Sequence, residues 1–216
     1  DQIDIRVGGT DQITIKDGAL SPVTDNDIDL GTSTLEFKDA YFDGTVTTDV
    51  LTVGSTGITA NGITDAQVWR LTTNFTNDAQ PIASNLEAVD TDSAGALGSA
   101  MTQSSGIFTF PSTGVWLIQA HGEFYYDGDS RYNQIIIEVT TDNSSYSEAA
   151  KNSGGFAHSE STHTYSSASC QHLLDVTNTT NVKVRFTSSV SNNSATTGGD
   201  SNYNRTHFSF LRIGDT

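Results

Sequence analysis

Basic residues are scarce in this chain of 216 residues, which has ten Lys and Arg against 26 Asp and Glu and a formal net charge of −16. Proteins that track a nucleic-acid backbone depend on Lys and Arg to neutralise phosphates, so this balance excludes nucleic acid as a partner. A chain this acidic stays soluble, repels anionic membranes and suits divalent cations.

Cysteine is nearly absent as well, because Cys170 stands alone. The chain can form no internal disulfide, and we interpret the thiol as a small core residue. No apolar run approaches the length of a membrane span, and no signal-peptide pattern is present, so we expect no membrane insertion. The first residue is Asp rather than Met, from which we expect a processed product or a piece of a longer protein.

Leu, Ala, Lys and Glu are sparse, whereas Gly, Ser, Thr, Asn and Asp are abundant. This composition disfavours helices and favours short strands closed by turns. We therefore predict an all-β protein, with one domain large enough to bury a core and a smaller region beside it.

A repeat occupies the start of the chain, since Asp1–Ile5 recurs as Asp11–Ile15. Isoleucines alternate with polar residues in both copies, which predicts strands with one apolar face. The pattern resumes loosely at Val46, Val50, Leu51, Val53, Ile58 and Ile63. Strands this short, separated by turns such as Asn61-Gly62, need partners, and parallel association of identical chains supplies them. We predict that residues 1–65 form a short, repetitive, β-rich shaft in a homotrimer.

The segment Ile28–Val46 (IDLGTSTLEFKDAYFDGTV) resembles a module found repeatedly in tail fibres and other appendage proteins of tailed phages. The resemblance covers about 20 residues. It implies a place in a trimeric β-rich shaft of a virion and no catalytic role.

Residues 66–216 show alternating strands bounded by turns, which favours a β-sandwich head. Two strands joined by a Pro/Gly turn are expected across Gly106–Phe124. Further strands are expected at 133–142, 165–176, 182–187 and 206–213.

Two motifs within this region resemble the jelly-roll heads of the complement and tumour necrosis factor (TNF) superfamily. The first comprises Gly106, Phe108, Pro111, Gly114 and Trp116, and the second is the final strand Thr206–Leu211. The resemblance covers about 110 residues and implies a compact trimeric head. The loop Asp175–Asn181 departs from the tighter turn that is usual in the family.

Long polar connections are the candidate recognition loops. If strands alternate in direction and both head termini lie at one end, as the resemblance implies, the connections 126–132, 151–163 and 190–205 lie at the far tip. Aromatic rings beside amides and carboxylates suit the apolar face and the hydroxyls of a sugar, while a purely solvated role for these loops is equally open. The predicted receptor-binding residues are Tyr126, Asp127, Asp129, Arg131, Tyr132, His158, Asn192, Asn193, Asp200, Tyr203 and Arg205.

No catalytic motif is present: there is no nucleophile elbow, no carboxylate pair at a fixed strand spacing and no Gly-rich loop feeding a helix. We expect no enzymatic activity and no cofactor. Calcium is the alternative left open, because some complement-type heads bind it, and because Asp90–Asp92 and Asp127–Asp129 could offer oxygen ligands. Asp25–Asp29 with Glu36 resembles a calcium loop in spacing, but Leu30 stands where the turn needs Gly. We interpret all three segments as plain turns.

His158, His163, Cys170 and His172 form the one His/Cys grouping in the sequence. Zinc needs tightly spaced ligands in a stable frame. We interpret this grouping as a polar loop beside a core thiol.

The sequence thus predicts a non-enzymatic homotrimeric phage tail fibre or receptor-binding protein. Its head would recognise a host cell-surface glycan or protein, and its N-terminal side would join other virion proteins. A capsid fibre or decoration protein with a structural or loosely adhesive role is the alternative, and an extracellular lectin of the complement family is disfavoured by the module at Ile28–Val46.

Overall fold

The computed structural model describes residues 2–25, 28–47, 63–158 and 162–216. The chain divides into two compact units, Asp1–Ile58 and Thr59–Thr216. All the secondary-structure elements in these ranges are strands. The described residues therefore contain no helix that could span a membrane. The strands are β1 Gln2–Val7, β2 Thr10–Lys16, β3 Ala19–Pro22, β4 Asp65–Leu71, β5 Phe75–Thr76, β6 Leu86–Ala88, β7 Thr102–Ser104, β8 Ile107–Thr109, β9 Gly114–Tyr126, β10 Ser130–Thr140, β11 Ser147–Phe156, β12 Thr164–Val176, β13 Lys183–Val190, β14 Thr196–Thr197 and β15 His207–Gly214.

The first unit contains a three-stranded antiparallel sheet in the order β1-β2-β3. The ten-residue repeat forms its first hairpin, in which Ile3 pairs with Ile15 and Ile5 with Ile13. Ile3, Ile5 and Leu20 remain exposed in the single chain. The strands predicted for the repeat are therefore confirmed, and of their isoleucines only Ile13 is half-buried within the chain's described residues.

Residues 28–47 contain no strand. Apolar side chains of this segment, including Leu30, Phe37 and Tyr41, are exposed. Neither Val46 nor Ile63 lies in a strand, so the loose alternation predicted from them was wrong there, because periodicity alone supplies no pairing partner. Asn26, Asp27, Val50, Leu51, Val53, Ile58 and the turn Asn61-Gly62 lie outside the described residues.

The second unit, hereafter the head, is a sandwich of two antiparallel sheets. One sheet has the order β12-β9-β15-β4-β6, with β14 and β5 added beside the end of β9, and the other has the order β11-β10-β13-β8-β7. β8, β10, β11 and β13 lie in one sheet and β9, β12 and β15 in the other, so the chain crosses repeatedly between the sheets, which is the connectivity of a jelly roll. The predicted all-β, TNF-like jelly-roll fold is confirmed by this strand order.

The core lies between the two sheets. Along β9, alternate side chains such as Trp116, Ile118 and Phe124 are buried, because successive residues of a strand face opposite sides. The other sheet contributes Phe186, which stacks on Phe208 of β15 with ring centroids 3.9 Å apart. The inward phase predicted from the sequence is confirmed, and Cys170 packs against this core as expected.

The glycines of the motif in the first predicted strand pair have a backbone explanation; its two strands, β8 and β9, lie in different sheets. Gly106 has a φ of +78°, and a Cβ there would collide with the carbonyl oxygen of Ile82. Gly114 has a φ of +138° and abuts the Arg212 side chain. Both positions favour glycine because L side chains rarely adopt this conformation.

The predicted connection 151–163 is shorter than expected, because Lys151–Phe156 belong to β11. This strand pairs with β10 at the edge of its sheet. Its sequence SEAAKNSGGF lacks apolar alternation, since an edge strand with much of its length exposed needs little apolar surface. Likewise, Tyr126 ends β9, while Arg131 and Tyr132 begin β10, so these three lie at strand ends rather than within a loop.

Both termini of the head lie at one end of the sandwich, since Arg212 near the end of β15 pairs with Asp65 at the start of β4. Residues 127–129, 157–158, 162–163 and 191–195 lie at the opposite end, because Tyr126 pairs with Thr164 and Val190 with Asn133. We call this opposite side the distal end.

Candidate functional site

Four of the predicted receptor-binding residues meet at the distal end. The carboxylate of Asp129 accepts a hydrogen bond from the backbone N–H of His158 at 2.6 Å, and its carbonyl oxygen accepts one from the Asn192 side chain at 3.1 Å. The ring of His158 lies 3.5 Å from the Asp127 carboxylate. Three connections that are far apart in sequence are thus joined into one group, the distal cluster (Asp127, Asp129, His158 and Asn192).

Strand-end residues support this cluster. Ser191 Oγ accepts a hydrogen bond from the backbone N–H of Tyr132 at 3.1 Å and lies 3.1 Å from Ser130 Oγ. The Tyr132 ring and the Arg131 side chain are exposed beside it. The backbone carbonyl of Asn193, next to Asn192 of the cluster, accepts a hydrogen bond from the N–H of Asn77 at 3.1 Å, which ties this connection to the residue that follows β5.

Asp200, Tyr203 and Arg205 are not part of the distal cluster. The backbone N–H of Asp200 donates to the carbonyl of Leu71, on β4. Arg205 donates to the Glu123 carboxylate at 2.6 Å, and its guanidinium lies 5.2 Å from the centre of the Tyr125 ring. Leu71 ends β4 and Glu123 lies near the end of β9, both away from the head's termini, so these contacts keep the connection before β15 on the distal side but outside the distal cluster.

Tyr125 belongs to an aromatic group that sequence reasoning missed. Its ring centre lies 5.3 Å from that of Tyr165 and 5.1 Å from that of His163. Both tyrosines sit at the outward phase of their strands, which was visible in the sequence, but their contact depends on the register that pairs Tyr125 with Tyr165.

Tyr203 lines a second concavity, hereafter the lateral cleft, of about 310 Å³. The cleft lies where the chain after β6 meets the chain before β15, beside the β6 edge of its sheet. The polar residues of its lining are Thr91, Asp92, Asn202, Tyr203 and Asn204. The sequence singled out Tyr203 as a binding residue and Asp92 as part of a turn, but it could not show that they line the same cleft.

The outer face of β12, β9 and β15 carries a shallow pocket of about 460 Å³ with polar side chains. His121 Nδ1 lies 2.7 Å from Ser169 Oγ, and the His121 and His207 ring centres are 5.1 Å apart. Burial, and next the charge of His121, lower the pKa of His207, while the backbone of Arg205 and Asn204 acts in the opposite direction. The neutral form of His207 is therefore favoured in the fold.

No three His, Cys, Asp or Glu side chains of the described residues come close enough to hold a metal ion. The four residues of the His/Cys grouping separate: His158 faces Asp127, His163 contacts Tyr125, Cys170 donates to the Ile135 carbonyl at 3.5 Å, and His172 lies half-buried on β12. Burial raises the pKa of Cys170 to about 11, so the thiol stays protonated.

No protein-family model matches the sequence, and no curated protein matches it significantly. Among solved structures, murine APRIL at pH 8.5 is similar over 69% of this chain and 98% of its own, with 8% identity and a TM-score of 0.49. The Eiger TNF from S. frugiperda is similar over 70% of this chain and 93% of its own, with 11% identity and a TM-score of 0.49. The fold of the head follows from its own strand order.

Proposed function

We propose that this chain is a non-enzymatic, homotrimeric receptor-binding protein of a tailed-phage fibre. Its head would recognise a host cell-surface glycan or protein during adsorption, and its N-terminal unit would join other virion proteins. The observation that carries the proposal is the distal cluster, in which three connections converge on rigid strands at the end opposite the head's termini. Recognition residues on β-scaffolds concentrate in such loops.

The phage assignment is supported by the segment Ile28–Val46 and its resemblance to appendage modules. Its apolar side chains, Tyr41 and Phe42 among them, are exposed in the single chain. Large apolar groups left in water favour association, because burying them against other copies removes them from solvent. A shaft of several chains would provide that burial.

For the head, we propose that copies associate through the outer face of β12, β9 and β15. Leu173 and Ile213 are exposed there, and Leu117 and Leu211 are half-buried. Polar side chains such as Gln119 and Ser169 lie between them, so the face resembles the mixed composition of protein interfaces rather than a core. Three copies are proposed because the shaft and the resemblance of the head motifs favour the same symmetry.

Adsorption competition tests the proposed function. The purified full chain, added in excess to host cells, should block phage adsorption, and labelled chain should bind those cells. Because Arg131 and Tyr132 are exposed beside the distal cluster, Arg131→Ala with Tyr132→Ala should weaken both effects.

The matched control replaces Thr177 and Thr180, exposed residues of the connection between β12 and β13, with Ala. This pair lies at the end of the head where its termini are, so competition should persist. If the chain instead labels capsids and leaves adsorption unchanged, the protein is a capsid fibre or decoration and the proposal fails.

A further inference from the structure

We propose that the lateral cleft binds a neutral pyranose, which makes it a sugar subsite separate from the distal cluster. The inference rests on the proposed recognition of host surface glycans and gives that recognition a place and a ligand class. Two chain segments more than 100 residues apart in sequence, around Thr91 and Tyr203, form the cleft. At about 310 Å³ it falls at the lower end of the size range of small-molecule sites.

The chemistry of the lining suits a sugar. The Tyr203 side chain is 66% exposed, so its ring is free to stack on the apolar face of a pyranose. The side chains of Asn202 and Asn204 offer both amide donors and carbonyl acceptors, and Asp92 offers acceptors. Pyranose hydroxyls need both kinds of partner, because each donates and accepts hydrogen bonds.

A buried arginine holds one wall of the cleft. Arg70 is 1% exposed, and it donates to Glu87 at 2.7 Å, to Thr91 Oγ1 at 2.9 Å and to Asp90 at 3.3 Å. All three partners belong to β6 or to the chain that follows it. Charge-assisted hydrogen bonds of this kind are strong and directional, so the contacts of Arg70 fix the position of the segment that carries Asp92.

The backbone of that segment is held in a rarely populated conformation. Asp92 and Ser93 have φ values of +54° and +63°, and the N–H of Ala94 closes the turn on the Thr91 carbonyl at 3.0 Å. Two adjacent non-glycine residues in the left-handed region cost free energy, and they persist where surrounding contacts hold them. The Arg70 contacts to Thr91 and Asp90 are such contacts.

The opposite wall is also organised. The Asp200 carboxylate accepts a hydrogen bond from the backbone N–H of Asn202 at 2.7 Å, and Thr91 Oγ1 lies 3.5 Å from the Asn202 carbonyl oxygen. The two walls are therefore linked, and a ligand would meet a largely preformed site. Preformed sites lose less free energy on binding because little of the protein must be ordered.

Charge selects a neutral sugar over an acidic one. Two carboxylates, Glu87 and Asp90, already surround the buried Arg70, and Arg205 is paired with Glu123. Asp92 adds a further negative charge to the cleft, in a chain whose formal net charge is −16. A sugar carboxylate would meet repulsion there, whereas hydroxyl groups would not.

Saturation-transfer NMR on the full chain tests this inference. The probes are methyl pyranosides of glucose, galactose and mannose, with N-acetylneuraminic acid as the acidic comparator. At least one neutral pyranoside should receive saturation at its ring protons, and the acidic sugar should receive none. Tyr203→Ala should weaken binding at least tenfold, while Tyr203→Phe, which keeps the ring, should retain it.

The control variant is Thr177→Ala with Thr180→Ala, at exposed positions of the connection between β12 and β13, and it should leave pyranoside binding unchanged. Asp92→Asn, which keeps the shape but alters the acceptors, should also weaken binding. Circular dichroism should show that the variants fold. The inference is overturned if no neutral pyranoside binds, if only the acidic sugar binds, or if binding survives Tyr203→Ala in a folded protein.

The result separates this inference from the proposed function. If the chain competes for adsorption but binds no pyranoside, the proposed function stands and the sugar subsite in the cleft is refuted. If the chain binds a pyranoside through Tyr203 but does not compete, the sugar subsite stands and the proposed function is refuted.

Discussion

At the residue scale, Trp116 is a core residue whose contacts are confined to the scaffold and do not involve the candidate binding loops. Its side chain is 1% exposed, it contacts Phe110 with ring centres 5.2 Å apart, and its indole N–H donates to the Ser112 carbonyl at 3.3 Å. None of these contacts reaches the distal end or the lateral cleft. A loss at this position should therefore appear as instability rather than as altered recognition.

We predict that Trp116→Ala lowers the free energy of unfolding by about 3–5 kcal/mol, because it leaves a cavity in the core. Trp116→Phe should cost less, since a ring still fills much of the space. Urea unfolding followed by circular dichroism measures both values. Cell binding by the folded fraction should be unchanged, and a variant that loses binding while keeping full stability would contradict this assignment.

His207 gives the head a dependence on pH. It lies between His121 on β9 and Arg70 on β4, and Arg70 is matched by Glu87 and Asp90. Burial first, and the charge of His121 second, lower the pKa of His207 below its ordinary value of 6.5. In acid the unfolded chain therefore takes up this proton before the folded chain does.

We predict that protonation of His207 does not reduce the stability of the fold above pH 6.5. Below pH 6.5, the free energy of unfolding should fall as the pH approaches the folded-state pKa of His207. His207→Gln should flatten this part of the stability curve. Thermal melting across that range measures the slope. His158→Gln, at an exposed position of the distal cluster, serves as the control, and an equal flattening in both variants would refute the role of His207.

At the scale of elements, the tight turn between β7 and β8 depends on Gly106. Gln103 Oε1 accepts a hydrogen bond from the Gly106 N–H at 3.1 Å, and the backbone of Ile82 and Ala83 passes directly against the glycine. The turn thus fixes both the β7–β8 hairpin and a long segment that precedes it.

We predict that Gly106→Ala destabilises the head by about 2 kcal/mol or more, from left-handed strain and the collision with Ile82. Gly95→Ala is the matched control, because Gly95 has open space around its Cα and no left-handed φ. That change should be neutral or stabilise by about 0.4–1 kcal/mol through the unfolded chain. Equal losses in the two variants, measured by urea unfolding, would contradict the explanation.

Strands with a clear apolar alternation were predicted well. β9, β12, β13 and β15 all lie within a few residues of their expected bounds, because alternation is local and reflects burial of one face. The sequence missed β11, whose exposed edge position removes the pattern, and it missed the short strands that bound the lateral cleft, such as β6. Three residues are too few for a period to be recognised.

At the scale of the whole molecule, the proposed trimer places the outer face of β12, β9 and β15 at the contact between copies. Leu173 lies on β12 at one side of that face and is 56% exposed in the single chain. Its replacement should therefore weaken association without disturbing the fold of the head.

We predict that Leu173→Glu raises the concentration at which the trimer dissociates at least tenfold, because a charge must then be buried at the contact. Light scattering coupled to size exclusion should give about three times 23.0 kDa for the unmodified chain. Leu97→Glu, in the connection between β6 and β7, is equally exposed and should leave the mass unchanged. A Leu173→Glu chain as stable in association as the unmodified one would refute this face as the contact.

The sequence by itself determined the all-β class, the inward phase of the long strands and the need for glycine at Gly106 and Gly114. Each of these depends on residues within a few positions of one another, so the local pattern is sufficient. Strand direction also predicted that three connections share the distal end, and the distal cluster bears that placement out through the contacts of Asp129 with His158 and Asn192.

Only the tertiary structure decided which polar residues meet. Asp200, Tyr203 and Arg205 lie outside the distal cluster, Tyr125 contacts Tyr165 through strand register, and Arg70 is buried beneath Thr91. Each of these contacts joins segments distant in sequence, and its energy depends on pairing and burial that no local pattern contains. For that reason the lateral cleft, the most specific candidate site, could be found only in the folded chain.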